Sequence, residues 1–473
     1  MNALLMGLVL ATCAGVVYLI PGKAPGALVV CQLVSLPTII ILAQSGNERV
    51  FLQRLFIVGL LIRLAVATFI YVSHLQTFFG GDANTYDILG NSLGLSWHGN
   101  LDSASAYQDV VRSGASGWGM LYLVAAAYEL VGRNMLAIQF LSASAGAATA
   151  VLIFAIAQHL YGNTRVSKIA AISTMFFPSL ILWSSQGLKD GLIVFLLTLA
   201  IFATLQLMNQ IKAFYVFILI IALFGLFSLR FYVFYMMSAS VFGAMILGMK
   251  NVGLKTFVMR FVAVVMIGLA LTWFGVLRSA SGQLDKFGNL EAIQRSRNDA
   301  ARSAESGFGK DLDVRTTSGA LTAIPIGVVY LLLAPFPWQF GSLRQSLALP
   351  EMFVWWTCFP LLILGFWFTL RHRLRQATPI ILFTMMLTFV YSIFQGNVGT
   401  AYRQRSQLLV FYFIFVAVGL ALLKEKSEER KRLRDRQKLA EREAVYNLAQ
   451  RRRVEKQAAQ VLRESASQPS QVS

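Results

Sequence analysis

The segment LFIVGLLIRLAVATFIYVSHLQTFFGGDANTYD, residues 55–87, contains the pattern that decides the fold. Residues 55–76 are almost all apolar, and they are long enough for an α-helix to cross a bilayer. A glycine pair and two carboxylates, Asp82 and Asp87, follow at once. This change from apolar to polar sequence predicts a transmembrane helix that delivers an acidic loop to one membrane surface.

The composition places the whole chain in the membrane class. Of its 473 residues, 56% are hydrophobic and 13% are charged, and the mean hydropathy is +0.63. Soluble domains carry about 25% charged residues. Many apolar runs of roughly 18–25 residues predict an all-α, polytopic transmembrane helix bundle. A β-barrel is excluded because its strands would alternate in segments of about ten residues.

The net charge of +19 does not indicate nucleic-acid binding. The excess lies in short loops and in the C-terminal tail, as the positive-inside rule expects of cytoplasmic segments. All three cysteines lie in apolar runs, so neither a disulfide framework nor a Cys-based metal site is predicted. The sequence contains no Walker A, dinucleotide-binding or zinc motif, which leaves a nucleotide-driven machine without support.

Hydropathy predicts about twelve spans. They are residues 2–20, 25–44, 55–76, 135–160, 169–184, 191–209, two within 213–249, 256–277, 351–370, 378–395 and 406–423. Arg230 is expected at a helix end within 213–249, because arginine at the bilayer centre is costly. Segment 319–334 is expected to be re-entrant or interfacial, since every basic cluster then lies in the cytoplasm. One miscounted span earlier in the chain would have the same effect.

Two large polar loops, 77–117 and 278–318, are predicted on the outer, non-cytoplasmic face. In the first loop, apolar residues recur at helical spacing from Tyr86 to Trp97, which predicts an interfacial helix. Residues 118–131 are short for a span and fit a second interfacial helix, although a short true span remains an alternative.

The predicted organisation is a transmembrane bundle, residues 1–423, followed by a basic cytoplasmic tail, residues 424–473. The tail is expected to be helical and then disordered from about Ser465. Both termini are predicted to be cytoplasmic, and the expected location is the inner (cell) membrane of a bacterium.

The charged residues at the outer ends of the predicted helices are the candidate site residues. They are Asp82, Asp87, Lys189, Asp190, Arg230, Arg344, Arg403 and Arg405. Arginines on the outer face run against the positive-inside rule and therefore require an explanation. A phosphate bound at the membrane surface would explain them, because a guanidinium group binds phosphate oxygens in a bidentate fork. Structural roles stay open: Asp82 could cap a helix, and Arg403 and Arg405 could be interfacial anchors.

The order of these motifs over roughly residues 55–210 resembles the GT-C class of membrane glycosyltransferases, which includes protein O-mannosyltransferases and the aminoarabinose transferase of lipid A. The matching features are the acidic loop, a Gly-rich segment from Gly117, His159–Gly162 at the end of a span, Phe177–Pro178, and Lys189–Asp190 at the start of the next helix. The second half of the chain matches only as a generic bundle.

The resemblance implies a transferase that moves a hexosyl or pentosyl group from a polyprenyl-phosphate-linked donor to a glycan, lipid or protein acceptor. Asp82 matches the position of the class's general base, and Asp190 matches its second acidic residue. Tyr86 and Asp87 are expected to support the site. The phosphate is expected to contact Lys189, Arg230, Arg344, Arg403 and Arg405.

Some members of the class bind a divalent metal at the second acidic residue. This sequence departs from the pattern, because Lys189 directly precedes Asp190 and Asp82 has no acidic neighbour. A metal is therefore disfavoured, and Lys189 is a candidate to neutralise the phosphate instead.

Two other functions fit parts of the sequence. A polysaccharide polymerase, which joins lipid-linked repeat units in the cell envelope, would suit the outward arginines Arg295, Arg297 and Arg302 together with Arg403 and Arg405. A transporter or flippase would be expected to show internal repeats or paired broken helices at mid-membrane, and no half-to-half repeat is present in the sequence.

Overall fold

The computed structural model describes residues 3–44, 46–100, 117–247, 254–273, 289–302, 306–309, 312–338 and 343–466. Regular structure in these ranges is helical, apart from an isolated β-bridge between Gly307 and Asn397. The prediction of an all-α fold is confirmed for this part of the chain.

The first half of the chain contains ten helices within the described residues. They are α1 (Ala3–Leu19), α2 (Ala24–Ala43), α3 (Arg49–Val72), α4 (Asp82–Trp97), α5 (Trp118–Val131), α6 (Met135–Tyr161), α7 (Thr164–Phe176), α8 (Pro178–Ser184), α9 (Lys189–Asn209) and α10 (Ala213–Leu229). A short 3₁₀ turn, Gly46–Glu48, precedes α3.

The second half continues with longer helices. They are α11 (Phe231–Leu247), α12 (Leu254–Trp273), α13 (Leu290–Arg302), α14 (Thr317–Leu333), α15 (Leu343–His372), α16 (Leu374–Phe394) and α17 (Val398–Ala466). The expected disorder from Ser465 falls mainly on residues 467–473, which lie outside the described part.

The helices fit a multi-pass membrane protein. Among the described residues, seven helices are long and apolar enough to cross a membrane, or eight if the bent pair α7–α8 is one span. Five further apolar helices have only 10–17 residues, among them α1, α10 and α11. The sequence analysis counted those three as spans, which largely explains why its total of about twelve is higher.

Several predicted boundaries are corrected by the structure. The expected single span 169–184 is broken between Phe176 and Pro178 and bends there by 55°, because proline removes a backbone donor and pushes the residue before it into an extended conformation. Helix α15 begins at Leu343 and α17 at Val398, eight residues earlier than predicted in each case. Arg344 and Arg403 therefore lie in helices and not in loops.

Helix α6 is the centre of the N-terminal half, where it packs against α2, α3, α7 and α9. Its middle, from Ser142 to Ala150, is built of Ala, Ser, Gly and a single Thr, and these residues are buried. Small residues let neighbouring helix backbones approach closely, which is how helices gain packing energy in a membrane. The C-terminal half packs around α16, which contacts α11 and α14, while α9 contacts both α11 and α16.

Helix α14 packs against α16. A Cβ added at Gly327 would overlap the carbonyl oxygen of Ser392, and Ala320 and Ala323 share an apolar cluster with Ile393. Ser392 and Ile393 belong to the last turn of α16. The re-entrant or interfacial assignment of residues 319–334 stays a prediction, because an apolar helix of 17 residues fits both an interfacial helix and a short span.

The chain divides into two units, Met1–Gly419 and Leu420–Ser473. The first contains the helix bundle and all the candidate site residues. The second is a strongly charged, solvent-exposed helical segment whose apolar side chains, such as Leu433 and Val454, are also exposed.

The crossing of α15 and α17 provides a test of the packing. A Cβ added at Gly365 would overlap the carbonyl oxygen of Phe415, and one added at Gly419 would overlap that of Leu361. We expect Gly365→Leu to lower the free energy of unfolding by about 3 kcal/mol or more, because backbone atoms cannot move aside as side chains do. Gly15→Leu is the matched control, since nothing lies within 4 Å of its added Cβ. Thermal unfolding in detergent should separate the two, and an equal effect would contradict the close crossing.

Candidate active site

A glycine turn places the first carboxylate of the site. Gly80 and Gly81 have φ values of +138° and +71°, in a region that residues with a Cβ rarely adopt. Asp82 is then the first residue of α4, where the positive end of the helix dipole favours a carboxylate. The Asp82 side chain is 47% exposed, so a substrate can approach it from outside the bundle.

The second carboxylate lies at the start of α9 and inside the bundle. Asp190 is the second residue of that helix and is 0% exposed. The broken pair α7–α8 leads to it, because only four residues separate the end of α8 at Ser184 from the start of α9 at Lys189. Its burial means that Asp190 requires cationic or hydrogen-bonding partners within the protein.

Arg403 joins the two carboxylates. Its Nη1 atom donates to Asp82 Oδ2 at 2.7 Å, and its Nε and Nη2 atoms each lie 2.6 Å from Asp190 Oδ2. Arginine suits this position because its planar guanidinium carries five N–H donors in a fixed fork, whereas lysine is a point charge. The contact brings together α4, α9 and α17, which are far apart in sequence.

Arg230 completes the surroundings of Asp190. It lies between the end of α10 and the start of α11, which confirms the predicted helix break. Its Nη2 atom is 3.2 Å from Asp190 Oδ1, so both oxygens of Asp190 are engaged. The Nη1 atom of Arg230 is buried and makes no hydrogen bond of good geometry in the described residues, although the Tyr391 hydroxyl lies close to the guanidinium. A buried donor in this state is suited to an acceptor that a ligand brings.

Lys189 stands beside this cluster. Its Nζ atom is 6.0 Å from the centre of the Tyr86 ring and forms no hydrogen bond within the described part of the chain. A Cβ added at Gly117 would lie 2.8 Å from the same Nζ atom, and Gly117 has a φ of +96°. Glycine at this position therefore leaves room for the ammonium group.

Aromatic rings form one wall of the site. The guanidinium of Arg403 lies 5.8 Å from the ring centre of Trp183, and Tyr402 meets Trp183 edge to face at 6.2 Å. Burial raises the pKa of the Tyr86 phenol, and the Asp82 and Asp190 carboxylates raise it further. Tyr86 therefore stays neutral, and the apolar wall strengthens the ion pairs by keeping water away from them.

We call Asp82, Lys189, Asp190, Arg230 and Arg403 the charged cluster. It holds three cations and two carboxylates, so it has a surplus of one positive charge. With the open donor of Arg230 and the unbonded ammonium group of Lys189, this charge balance suits an anion with several oxygens, such as a phosphate.

Three predicted site residues do not join the charged cluster. Arg405 is 1% exposed and donates to the backbone carbonyls of Leu331 and Ala334, so the expectation that it faces the site with Arg403 is not met. Arg344 is exposed, and its guanidinium lies 5.2 Å from the ring centre of Phe78, a residue just before the N-terminal end of α4.

Asp87 is the third. It accepts a hydrogen bond from the Tyr128 hydroxyl at 2.5 Å and pairs with Arg133 at 2.5 Å. It therefore links α4 to the end of α5, which is consistent with a supporting role.

Two buried charged residues near the charged cluster were not predicted as site residues from the sequence. Glu351, on α15, accepts hydrogen bonds from the Ser179 backbone N–H at 2.6 Å and from the Tyr402 hydroxyl at 3.0 Å. Arg63, in the middle of α3, shares a cavity with Asp190. The signal for Arg63 was present, because a lone arginine inside a membrane-length apolar run is a functional candidate in its own right.

The residues present do not fit a divalent metal. The described residues hold no group of three or more His, Cys, Asp or Glu side chains arranged to bind one. Both oxygens of Asp190 are already bonded to arginines, and Lys189 adds a third positive charge nearby. A metal ion here would meet two engaged carboxylates and three cations, which is the opposite of a cation site.

Comparison with known proteins does not identify the chain. No protein-family model and no curated protein matches it.

The bridging role of Arg403 can be tested by stability. We expect Arg403→Gln to lower the free energy of unfolding by about 3 kcal/mol, because it leaves the buried Asp190 with a single cation. Arg133→Gln breaks the pair with Asp87 at a half-exposed arginine and should cost less, about 1 kcal/mol. SDS titration of the detergent-solubilised protein measures both, and similar losses would contradict the assignment of Arg403 as the central cation.

Proposed function

We propose that this chain is an integral-membrane glycosyltransferase that moves a sugar from a polyprenyl-phosphate-linked donor to an acceptor on the non-cytoplasmic face. The observation that carries the proposal is the guanidinium of Arg403, which holds an exposed carboxylate, Asp82, and a buried one, Asp190, at one end of a helix bundle. That arrangement offers a base and an anion-binding group side by side.

The donor phosphate is assigned to the cationic side of the charged cluster. Arg230 has a free buried donor, Lys189 has an unbonded ammonium group, and Arg403 has the fork geometry that matches phosphate oxygens. These groups bind the ground state and stabilise the extra negative charge that develops on the leaving phosphate. The polyprenyl chain would remain in the surrounding lipid.

Asp82 is assigned as the general base. Arg403 bonds its Oδ2 atom, while the carboxyl group remains about half exposed. The acceptor hydroxyl oxygen attacks the anomeric carbon as the carbon–oxygen bond to the donor phosphate breaks. The hydroxyl proton passes to Asp82, and polyprenyl phosphate leaves. Base catalysis of this kind is typically worth about 10²–10⁴-fold in rate.

Asp190 is assigned a different role from Asp82, although the sequence placed both in the catalytic set. It is fully buried, and both of its oxygens are bonded to arginines. It therefore acts as the counter-ion that orients Arg230 and Arg403, and it does not exchange a proton with the substrate.

The opposite end of the bundle supports the assignment of the outer face. Contacts there are His159–Asn209 at 3.2 Å, Tyr161–Thr369 at 2.6 Å and Lys168–Glu48 at 2.8 Å. The helix ends and loops at that end carry Arg165, Lys168, Lys212, Arg371, Arg373 and Arg375. The positive-inside rule assigns such loops to the cytoplasm, which leaves the charged cluster at the other membrane surface.

No contact among the described residues favours a polymerase over a transferase. The polymerase alternative relied on arginines of the second outer loop, but Arg297 is buried and donates to the Ile393 carbonyl at 2.8 Å. Arg295 lies 3.8 Å from Glu291 on the same helix. Neither of these contacts joins Arg295 or Arg297 to the charged cluster, so the transferase remains the better proposal.

The base assignment predicts that Asp82→Asn loses about 10²-fold or more in transfer rate, because the amide cannot accept the hydroxyl proton. Transfer from a radiolabelled polyprenyl-phosphate sugar measures the change. Asp87→Asn, five residues along the same helix, is the matched comparison and should keep most of the activity. Unchanged turnover in Asp82→Asn would exclude this residue as the base.

The phosphate assignment predicts that Arg230→Gln weakens the binding of polyprenyl phosphate by about 10–100-fold, the value of one or two charge-assisted hydrogen bonds. Isothermal titration in nanodiscs measures the dissociation constant. Arg344→Gln should change it by less than about threefold, since Arg344 lies outside the charged cluster. A larger effect at Arg344 than at Arg230 would indicate that the phosphate binds near the N-terminal end of α4 and not at the charged cluster.

A further inference from the structure

Arg63 is a buried cation that the proposed mechanism does not yet use. It lies in the middle of α3 and is 1% exposed. A charged side chain in a membrane-spanning helix is costly, and such residues usually face the bundle interior and have a functional role. Within the described residues, no carboxylate is hydrogen-bonded to the Arg63 guanidinium.

The bonds of Arg63 lead toward Asp190. Its Nε atom donates to the Ser184 hydroxyl at 3.0 Å, and its Nη1 atom contacts the Gly59 carbonyl at 3.1 Å and the Met175 sulfur at 3.2 Å. Ser184 is the last residue of α8. Arg63 therefore ties α3 to both halves of the broken helix that precedes Asp190.

Ser184 is closely packed against Gly146 of α6 and Gly191 of α9. A Cβ added at Gly191, the residue after Asp190, would lie 3.0 Å from Ser184 Cα. A Cβ added at Gly146 would lie 2.5 Å from Ser184 Cβ and 3.1 Å from Arg63 Nε. A shift of the Arg63 side chain would therefore be passed through Ser184 to the backbone that carries Asp190.

A small cavity separates Arg63 from Asp190. It has a volume of about 20 Å³, and its wall also includes Thr149, Thr174 and Ser406. The Thr174 hydroxyl is buried and has no hydrogen-bond partner in the described part of the chain. Most of the exposed wall of the cavity is apolar, but Arg63, Thr174 and Asp190 also line it, and its volume is sufficient for one water molecule.

We propose that Arg63 is the rear counter-ion of Asp190 and acts on it across a water-sized cavity. When no donor is bound, Arg230 and Arg403 neutralise Asp190 from the side of the charged cluster. When a donor phosphate binds, it competes for these two guanidinium groups, and the Arg63 charge then stabilises the Asp190 carboxylate from behind. Arg63 is thus a positioning residue for phosphate binding, and this inference rests on the proposed function.

A double-mutant cycle on polyprenyl phosphate binding tests the proposal. The variants are Arg63→Met, which keeps the length and removes the charge, Asp190→Asn, and the double variant, each in nanodiscs with titration calorimetry. We expect Arg63→Met to weaken binding about tenfold in the native background and by less than about twofold in the Asp190→Asn background. Arg63→Lys keeps the charge and should recover part of the affinity.

A second measurement separates this role from a merely structural one. Arg63 makes no direct salt bridge within the described residues, so Arg63→Met removes a costly buried charge without breaking an ion pair, and it should unfold at the same temperature as the native protein or higher. A lower unfolding temperature together with an equal loss of affinity in both backgrounds would overturn the proposal and make Arg63 structural.

The outcomes also distinguish the two levels of inference. Native protein that binds polyprenyl phosphate no better than the uncharged polyprenol would overturn the proposed function, and with it the ligand assigned here. Native protein that binds the phosphate, with Arg63→Met binding it equally well, would overturn only the role of Arg63.

Discussion

The ion pairs of Arg403 are the constraint on which the site depends. One guanidinium bonds carboxylates on two helices while its own helix is a third, so the starts of α4, α9 and α17 are held at one end of the bundle. In a low-dielectric interior these pairs are strong, but each charge is also expensive when left alone. The cluster is therefore stable only as a set, and every member limits where the others can lie.

The bundle satisfies its buried arginines in more than one way. Arg405 and Arg297 donate to backbone carbonyls at helix ends, and these bonds satisfy acceptors that lack a helical partner. Arg230 and Arg403 instead face Asp190, and Arg63 bonds neutral groups. Bonds to carbonyls fix one helix against another, whereas a cation facing a carboxylate can exchange its partner for a ligand. This difference separates the structural arginines from those of the candidate site.

Much of the fold followed from local patterns. The polar turn at Gly80–Gly81, the break at Arg230 and the start of α9 at Lys189 were predicted correctly, because glycine pairs and isolated charges interrupt apolar runs plainly. The number of membrane-length helices was overestimated. Apolar helices of 17 residues or fewer cannot be distinguished from membrane spans by hydropathy alone. The early start of α17 was also missed, because Gly396 to Thr400 has the composition of a loop.

The sequence by itself determined that the protein is a helical membrane bundle and that most of its candidate site charges lie near helix ends. Only the tertiary structure decided which charges meet. Arg403 and Arg405 are two residues apart, and on a helix that spacing turns their side chains about 200° from one another. Arg403 consequently reaches Asp82 and Asp190, while Arg405 points away to the carbonyls of α14 and the residue that follows it. The sequence shows two similar arginines, and helix geometry assigns them to opposite faces.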